Sequence, residues 1–311
     1  MTGFAGTTPS AALLARIKQG KVGGVILFGA NISSDAGVRS LAARLQAAAR
    51  AGGNPPLLIA VDQEGGPVRR LPDGPPADAP AQLRSAAQSR GEAAAAGTFL
   101  ARLGINVDLA PVLDTIDSPS NFLGTRSFGI DVQRTTALGT AFVRGLQSRG
   151  VAATAKHFPG LGTAAANTDT NHVWITTSRR ALDARLVPFA AAVHAGVDLV
   201  MVSNAGYRAY DPSGLPAVLS RRIVTDLLRG RLGFRGVTIS DALSAPGPSA
   251  HADASVRAVE AGVDVLLYTS ESAADAAYTR LLTAARGGGL PLSALRAANS
   301  RIAELKRRVA R

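Results

Sequence analysis

Short apolar runs alternate with helical patterns along the chain, and this alternation constrains the fold more than any other feature. Seven runs read as strands: GGVILFG (23–29), PLLIAVD (56–62), NVDLAPVLD (106–114), AATAKHF (152–158), DLVMVSNA (198–205), GVTISDAL (236–243) and DVLLYTS (264–270). Helical patterns occupy 33–51, about 84–103, 131–149, 179–195, 218–231, 251–262 and 272–286. Strands that alternate with helices predict parallel βαβ units. Nearly uniformly apolar strands are typical of a sheet that is covered on both faces.

The opening residues MTGF precede a further helical pattern at 9–20 and predict a short first strand. With it, the chain has the eight strands of an α/β fold of the (β/α)8 TIM-barrel type, closed by a helix from 292 to the end. No Pro/Ser-rich linker divides the chain, so we expect residues 1–311 to form a single catalytic barrel domain. An internal similarity supports this fold: HAGVDLVMVS and EAGVDVLLYT each combine a helix end, a glycine, an aspartate and a strand. Gly196 and Gly262 suit the helix ends, where a positive φ is needed. An open doubly wound sheet is the rival fold, but GFAGTTPS lacks the spacing of its glycine-rich phosphate turn.

Composition excludes several classes of function. The chain has no cysteine, which rules out disulfides, thiolate nucleophiles and cysteine-based metal sites. No apolar run is long enough to span a membrane. The formal charge of +12 comes mainly from arginines scattered over helices, without the aromatic interleaving of a nucleic-acid module, so we expect no nucleic-acid partner. An affinity for polyanions such as acidic cell-wall polymers stays open. No metal-ligand spacing is present, and we expect neither a metal nor an organic cofactor.

Polar residues stand where the predicted strands end. They are Asp62, Asp108, Asp114, Lys156, His157, Asn204 and Asp241. In a barrel of this type the active site lies at the carboxyl ends of the strands, so these side chains are predicted to share one rim. Carboxylates that accept hydrogen bonds, together with cations that donate them, suit a polyhydroxylated ligand. A phosphate ligand is the alternative, because Lys156 with two arginines would also bind an anion.

Six motifs carry a resemblance to a known family. They are GGVILFGANI, AVDQEGGPVRRL, NVDLAPVLD, GTRSFG, KHFPGLG and GVTISDAL, in order over roughly residues 1–270. Together they resemble glycoside hydrolase family 3, in particular the single-domain bacterial β-N-acetylglucosaminidases that act on cell-wall muropeptides. The resemblance implies a carbohydrate substrate and a retaining hydrolase that releases terminal β-linked N-acetylglucosamine through a covalent glycosyl-aspartate intermediate.

The resemblance also implies residue roles. Asp241 in SDAL matches the nucleophile of the family. The implied sugar ligands are Asp62, Arg70, Arg126, Lys156, His157 and Asn204. Asn204 stands at a position that is often His in the family.

The proton donor departs from the family pattern. The resembling branch carries Asp-Ser-His after its Lys-His-Phe-Pro-Gly motif, whereas this chain has Asn167, Thr168 and Asp169, and Leu161 stands where His is common. In one account Asp169 is the acid/base, kept protonated by a desolvated loop. In a second, His172 swings in with Asp169 as its orienting carboxylate. In a third, neither serves, and the chain is an impaired or inactive carbohydrate-binding homologue. Transfer of the glycosyl group to phosphate is a further alternative.

The compartment and the assembly are less constrained. The amino terminus is short beside the family pattern, so a bacterial cytoplasmic protein and an exported one, with an export segment upstream, both stay open. We expect a monomer.

Overall fold

Seven parallel strands form one curved sheet in the computed structural model, which describes residues 1–309. They are β1 Gly24–Leu27, β2 Leu58–Val61, β3 Val107–Asp108, β4 Ala152–Phe158, β5 Leu199–Val202, β6 Val237–Ala242 and β7 Val265–Leu267. Each strand pairs with the next in chain order, and every pair is parallel. All seven strands lie within the runs that the sequence predicts.

The opening segment closes the sheet. Thr2 forms parallel bridges to Val25 in β1 and to Tyr268, the residue after β7. The Thr2 N–H donates to the Gly24 carbonyl at 3.1 Å, and the Tyr268 N–H donates to the Met1 carbonyl at 3.1 Å. A single bridging residue therefore takes the place of the eighth strand, which confirms the predicted barrel with its short first strand.

The helices alternate with the strands. They are α1 Ala11–Lys18, α2 Asp35–Ala51, α3 Ala86–Arg102, α4 Val132–Gln147, α5 Arg179–Arg185, α6 Val187–His194, the π-helix Arg222–Arg231, α7 Pro246–Ser249, α8 Ala254–Ala261, α9 Glu271–Arg286 and α10 Leu292–Val309. The one helix expected over 179–195 is two, because Pro188 supplies no N–H to continue the first. The helix expected from 218 begins at 222, after a 3₁₀ turn at Ala217–Leu219. The last two residues of the expected closing helix and of the 1–311 domain lie outside the described range.

Two apolar layers surround the strands. One lies inside the barrel and includes Ile26, Leu109 and Met201, while the larger one packs the outer strand faces against the helices. Small and branched aliphatic residues fill both layers, as the low aromatic content requires. Gly196 and Gly262 have φ of 77° and 106°, the positive values expected at these helix ends. Over residues 1–309, no helix has the length and apolarity needed to cross a membrane.

Two short ribbons extend the barrel above the carboxyl ends of its strands. In the first, Gln63–Gly65 pairs antiparallel with Val68–Arg69 directly after β2. In the second, Trp174–Ile175 pairs in parallel with Gly206–Tyr207, which follows β5. The ribbons give the loops of this rim backbone hydrogen bonds of their own, and they hold the segments that carry the polar side chains described next.

Candidate active site

A pocket of about 250 Å³ opens at the carboxyl ends of the barrel strands. Its polar lining is Asp62, Glu64, Arg70, Arg126, Lys156, His157, Asn167, Thr168, Asp169, Asp241 and Thr269, and its apolar lining includes Ile26, Leu109, Met201 and Leu267. Seven of the nine residues predicted for the site contribute to this lining, and Asn204 and His172 do not. The polar residues come from loops that are distant in sequence, and the barrel brings them together.

Lys156 is the centre of a buried ion cluster on one side of the pocket. Its Nζ lies 2.8 Å from Asp62 Oδ1 and 2.7 Å from Glu64 Oε1. Burial alone would lower the pKa of Lys156, but the charges of Asp62 and Glu64 raise it to about 12. Lys156 is therefore a permanent cation that holds both carboxylates in place.

Glu64 is the second buried member of this cluster. Arg126 Nε and Nη2 each lie 2.8 Å from one of its carboxylate oxygens. Burial works to raise the pKa of Glu64, but the charge of Lys156 and the hydrogen bond and charge of Arg126 lower it to about 2. Glu64 stays ionised near neutral pH and fixes the guanidinium plane of Arg126 beside the pocket.

Asp62 and Arg70 face the pocket more openly. Arg70 Nη2 lies 3.5 Å from Asp62 Oδ2, and the other Asp62 oxygen binds Lys156. Asp62 keeps 14% of its side chain exposed and Arg70 keeps 37%. This pair can therefore accept from and donate to the hydroxyl groups of a ligand without breaking the buried cluster.

His157 is oriented by Asp114. The His157 Nδ1 lies 2.7 Å from Asp114 Oδ2, and Asp114 Oδ1 accepts the Leu161 N–H at 2.7 Å. Both Asp114 oxygens also lie 3.2 Å from the His157 N–H. The Asp114 carboxylate accepts from donors on several sides, and its contact with Nδ1 favours the imidazole tautomer that carries its proton on Nδ1. The Nε2 side of the ring is then the side that is free to meet a ligand.

Asp241 stands near the end of β6 and lines the same pocket. Its Oδ1 accepts the Ala242 N–H at 2.7 Å. Burial raises the pKa of Asp241 above its usual value and the charge of Asp169 adds to this, while His157 and Lys156 oppose it. A carboxylate that accepts few hydrogen bonds keeps its lone pairs available for reaction.

The loop after β4 brings Asp169 to the pocket. The Asp169 N–H donates to Asn167 Oδ1 at 2.9 Å, and the Asn171 side chain donates to the Asn167 carbonyl at 3.1 Å. Thr168 is buried beneath this turn. Asn167 thus stabilises a tight turn that places Asp169 at the edge of the pocket that Asp241 also lines, where Asp169 is exposed and not, as expected, desolvated.

His172 and Asn204 lie outside the pocket lining. The His172 ring stacks on Trp174, with ring centroids 4.0 Å apart, and burial lowers the pKa of His172, as does the charge of His251. Asn204 is buried, and its Nδ2 donates to the Ala242 carbonyl at 2.8 Å. The structure therefore places Asn204 behind the end of β6, where it holds the residue next to Asp241.

Three acidic residues of this region had no predicted role: Asp108 and Asp114 were expected on the polar rim but do not line the pocket, and Glu64 was not singled out. Glu64 joins the ion cluster, Asp114 orients His157, and Asp108 is fully buried with its Oδ1 accepting the Gln63 N–H at 3.0 Å. Burial raises the pKa of Asp108 well above its usual range. A sequence signal exists for Glu64, because residues two apart in an extended segment point the same way, and Asp62 stands two residues earlier. Within residues 1–309, no cluster of three or more His, Asp or Glu side chains is arranged to hold a metal ion.

Comparisons with known proteins agree with this geometry. The Glycosyl hydrolase family 3 N terminal domain matches residues 4–305. A beta-hexosaminidase of Xanthomonas oryzae pv. oryzae is 39% identical over 86% of this chain and 82% of its own length. A family 3 beta-N-acetylglucosaminidase from Paenibacillus sp. FPU-7 superposes with a TM-score of 0.96 at 38% identity; the match covers all of this chain and 61% of the Paenibacillus chain. A beta-N-acetylhexosaminidase from Beutenbergia cavernae has a TM-score of 0.90 at 34% identity, over 98% and 95% of the two chains.

The family match extends over nearly the whole described chain, and it includes every segment that contributes to the pocket. Relatives above 30% identity match in sequence over most of their length and in fold over nearly all of this chain. The ring of polar residues around a pocket at the barrel mouth is the part of this fold that carries chemistry. The chain therefore belongs to glycosyl hydrolase family 3, and it is a glycosidase.

Proposed function

We propose that this chain removes terminal β-linked N-acetylglucosamine from oligosaccharides with retention of configuration, using Asp241 as nucleophile and Asp169 as proton donor. The observation that carries the proposal is that both carboxylates line one pocket, beside a cluster of cations suited to sugar hydroxyls. The names of the similar proteins support N-acetylglucosamine as the sugar, and the presence of peptidoglycan fragments among the substrates follows from the resemblance alone.

The chemistry takes two steps in the proposed mechanism. Asp241 attacks the anomeric carbon and forms a glycosyl ester, while Asp169 gives its proton to the departing glycosidic oxygen. Water then attacks the same carbon, Asp169 takes a proton from it, and the ester bond to Asp241 breaks. Asp62, Arg70 and Lys156 hold the sugar hydroxyls throughout, so that the ring stays aligned with the nucleophile.

Asp169 is a better candidate for the proton donor than His172. Asp169 lines the pocket, whereas His172 is stacked against Trp174 and would have to leave that contact to reach the scissile oxygen. The third account, an inactive carbohydrate-binding homologue, is not favoured. The similar proteins carry the names of hydrolytic enzymes, and both proposed catalytic carboxylates line the pocket of this chain. Phosphate-dependent transfer has no observation in its favour.

A kinetic and a chemical experiment together test this proposal. Wild type and Asp241→Ala are assayed with 4-nitrophenyl β-N-acetylglucosaminide and the corresponding β-glucoside, and the anomer first released is identified by NMR. We expect turnover of the first substrate, release of the β-anomer, and loss of activity in the variant. Equal turnover by both proteins, or first release of the α-anomer, would reject Asp241 as the nucleophile of a retaining enzyme.

We also propose that one barrel is the complete catalytic unit and acts as a monomer. The pocket already joins the proposed nucleophile, proton donor and sugar ligands, which supports this view. Sedimentation of the active protein at assay concentration tests it, and a dimer with activity that falls on dilution would contradict it.

A further inference from the structure

Trp174 and His172 form an exposed aromatic pair on the rim of the barrel. Their rings are stacked, with an interplanar angle of 26°, and 44% of Trp174 remains exposed. Trp174 is the only tryptophan of the chain. Among the exposed large hydrophobic residues of the described chain, Trp174 alone is aromatic, and an exposed aromatic face can pack against a ligand.

The indole is held in one orientation. Its Nε1 donates to the Gly214 carbonyl at 3.1 Å, and Trp174 pairs through its backbone with Gly206. A Cβ on Gly206 would lie 2.8 Å from the Trp174 Cδ1, so the absence of a side chain at Gly206 lets the ring lie against the backbone. His172 covers the ring from one side. The indole is therefore fixed before any ligand arrives, and ordering it on binding costs little entropy.

The aromatic pair borders two segments of the rim, the one that follows Asp241 and the one that carries Asp169. A Cβ on Gly247 would lie 3.6 Å from His172 Cδ2 and 2.7 Å from the Asn204 carbonyl, so His172 borders the segment that follows β6. Asn204 in turn donates to the residue next to Asp241. On the other side, the pair belongs to the same loop as Asp169, three and five residues further along the chain. The aromatic pair therefore lies beside the part of the rim where the two carboxylates are held.

We infer that the aromatic pair is the leaving-group subsite, where the sugar attached to the scissile oxygen stacks its C–H face on the indole of Trp174. The inference rests on the proposed function, since it requires Asp169 to protonate that oxygen. The acid must contact the bond between the two sugars, so the departing sugar has to emerge past the loop that carries Asp169. A pocket of about 250 Å³ holds the terminal sugar and leaves the next one at the rim. The preferred substrates are accordingly β-linked disaccharides or longer chains, not simple alkyl glycosides.

The single tryptophan makes binding directly measurable. Asp241→Asn, which should bind substrate without cleaving it, is titrated with N-acetylglucosamine and with N,N′-diacetylchitobiose while tryptophan emission is recorded. We expect the disaccharide to shift or quench the emission and the monosaccharide to leave it unchanged. Disaccharide binding that calorimetry detects without any change in emission would overturn the inference.

The kinetic test compares two leaving groups. For each variant, kcat/KM is measured with N,N′-diacetylchitobiose and with 2,2,2-trifluoroethyl β-N-acetylglucosaminide, which has a small leaving group without a ring. We expect Trp174→Ala to lower the ratio of the two values roughly 3- to 10-fold, the range of one aromatic contact. Trp174→Phe should retain most of the ratio, and Leu292→Ala, at an exposed apolar residue of α10, should leave it unchanged.

The outcomes separate the two proposals. An equal fall with both substrates in Trp174→Ala would mean that the residue supports the fold or the catalytic loop, and the subsite would be rejected. If wild type cleaves neither substrate, the proposed function fails, while the emission titration still decides whether a second sugar stacks on Trp174.

Discussion

Glu64 and Arg126 form a two-pronged ion pair, with both contacts at 2.8 Å, and the same carboxylate lies 2.7 Å from Lys156. One buried anion thus pairs with two cations at the wall of the pocket, of which Lys156 is buried and Arg126 is partly buried. Such an arrangement contributes little net stability when intact, but it is costly to break because a buried charge is left without a partner.

Glu64→Gln should therefore destabilise the protein. Glutamine keeps the shape of the side chain but removes the charge that Lys156 and Arg126 share, and we expect the free energy of unfolding to fall by about 3 kcal/mol. Urea denaturation at pH 7 measures this change. Glu304→Gln is the matched control, since its side chain is 72% exposed, and it should change stability by no more than about 0.5 kcal/mol. Equal values for the two variants would contradict the role given to Glu64.

The same carboxylate predicts how stability depends on pH. The pKa of Glu64 falls from 4.5 to about 2 on folding, so its contribution is complete above pH 4.5 and is lost as the pH falls toward 2. The shift corresponds to about 3 kcal/mol. Unfolding free energies of wild type and Glu64→Gln, measured between pH 2.5 and 5.5, should converge as the pH falls. Parallel curves would show that Glu64 does not bind its partners as an anion.

Asp241 predicts a pH dependence of stability with the opposite sign to that of Glu64. Its pKa is raised in the folded protein, so the folded state is favoured below the unfolded pKa of 3.8 and loses that advantage as the pH rises through the folded pKa. Asp241→Asn removes a carboxylate whose charged form burial disfavours, so the variant should be more stable than wild type at pH 7 while losing its activity. Thermal unfolding at pH 7 checks this. Asp73→Asn, at an exposed carboxylate, is the control that should show no gain.

The architecture was predictable because burial on both faces leaves a clear sequence pattern. Every barrel strand lies within an apolar run, and even the one-residue strand at Thr2 was placed, since an eighth strand was needed to close the ring. The bounds of helices were less accurate where local turns intervene. The 3₁₀ turn at Ala217–Leu219 delays the helix expected from 218, and nothing in its apolar pattern marks that turn.

The directions of the side chains in the site were harder to predict from the sequence than the positions of the residues. Glu64 and Asp62 both point inward, but the motif alone did not reveal which of them would meet the ligand and which would be buried under Arg126. The sequence positions of Asn204 and His172 suggested roles in the site. In the structure, the Asn204 side chain bonds to the Ala242 carbonyl and the His172 ring stacks on Trp174. Such choices depend on contacts between loops that are far apart in sequence, and no local period encodes them.

The identity of the proton donor can be tested by its dependence on the leaving group. Asp169→Ala should lower kcat/KM for N,N′-diacetylchitobiose roughly 10²- to 10⁴-fold, the usual range of general acid catalysis. A 4-nitrophenyl glycoside needs little acid help for its departure, so its first step should be much less affected. His172→Ala should lower the disaccharide value at most several-fold, through the aromatic pair, because His172 lies outside the pocket lining. Loss of disaccharide cleavage in His172→Ala, with Asp169→Ala active, would instead support the account in which His172 swings in.

Asn204 either contacts the sugar or supports the position of Asp241, and steady-state kinetics distinguish the two roles. Its Nδ2 donates to the Ala242 carbonyl at 2.8 Å, and removal of that donor leaves the carbonyl next to Asp241 without this hydrogen bond. We expect Asn204→Ala to lower kcat several-fold with KM nearly unchanged, because the position of the nucleophile is disturbed and the sugar contacts are not. The loss of one buried hydrogen bond should also cost about 1–3 kcal/mol of stability. Steady-state kinetics with 4-nitrophenyl β-N-acetylglucosaminide provide the comparison, and Arg70→Ala is the control expected to raise KM through lost sugar contacts. If Asn204→Ala raises KM as Arg70→Ala does and leaves kcat intact, Asn204 contacts the sugar directly, as the sequence first suggested.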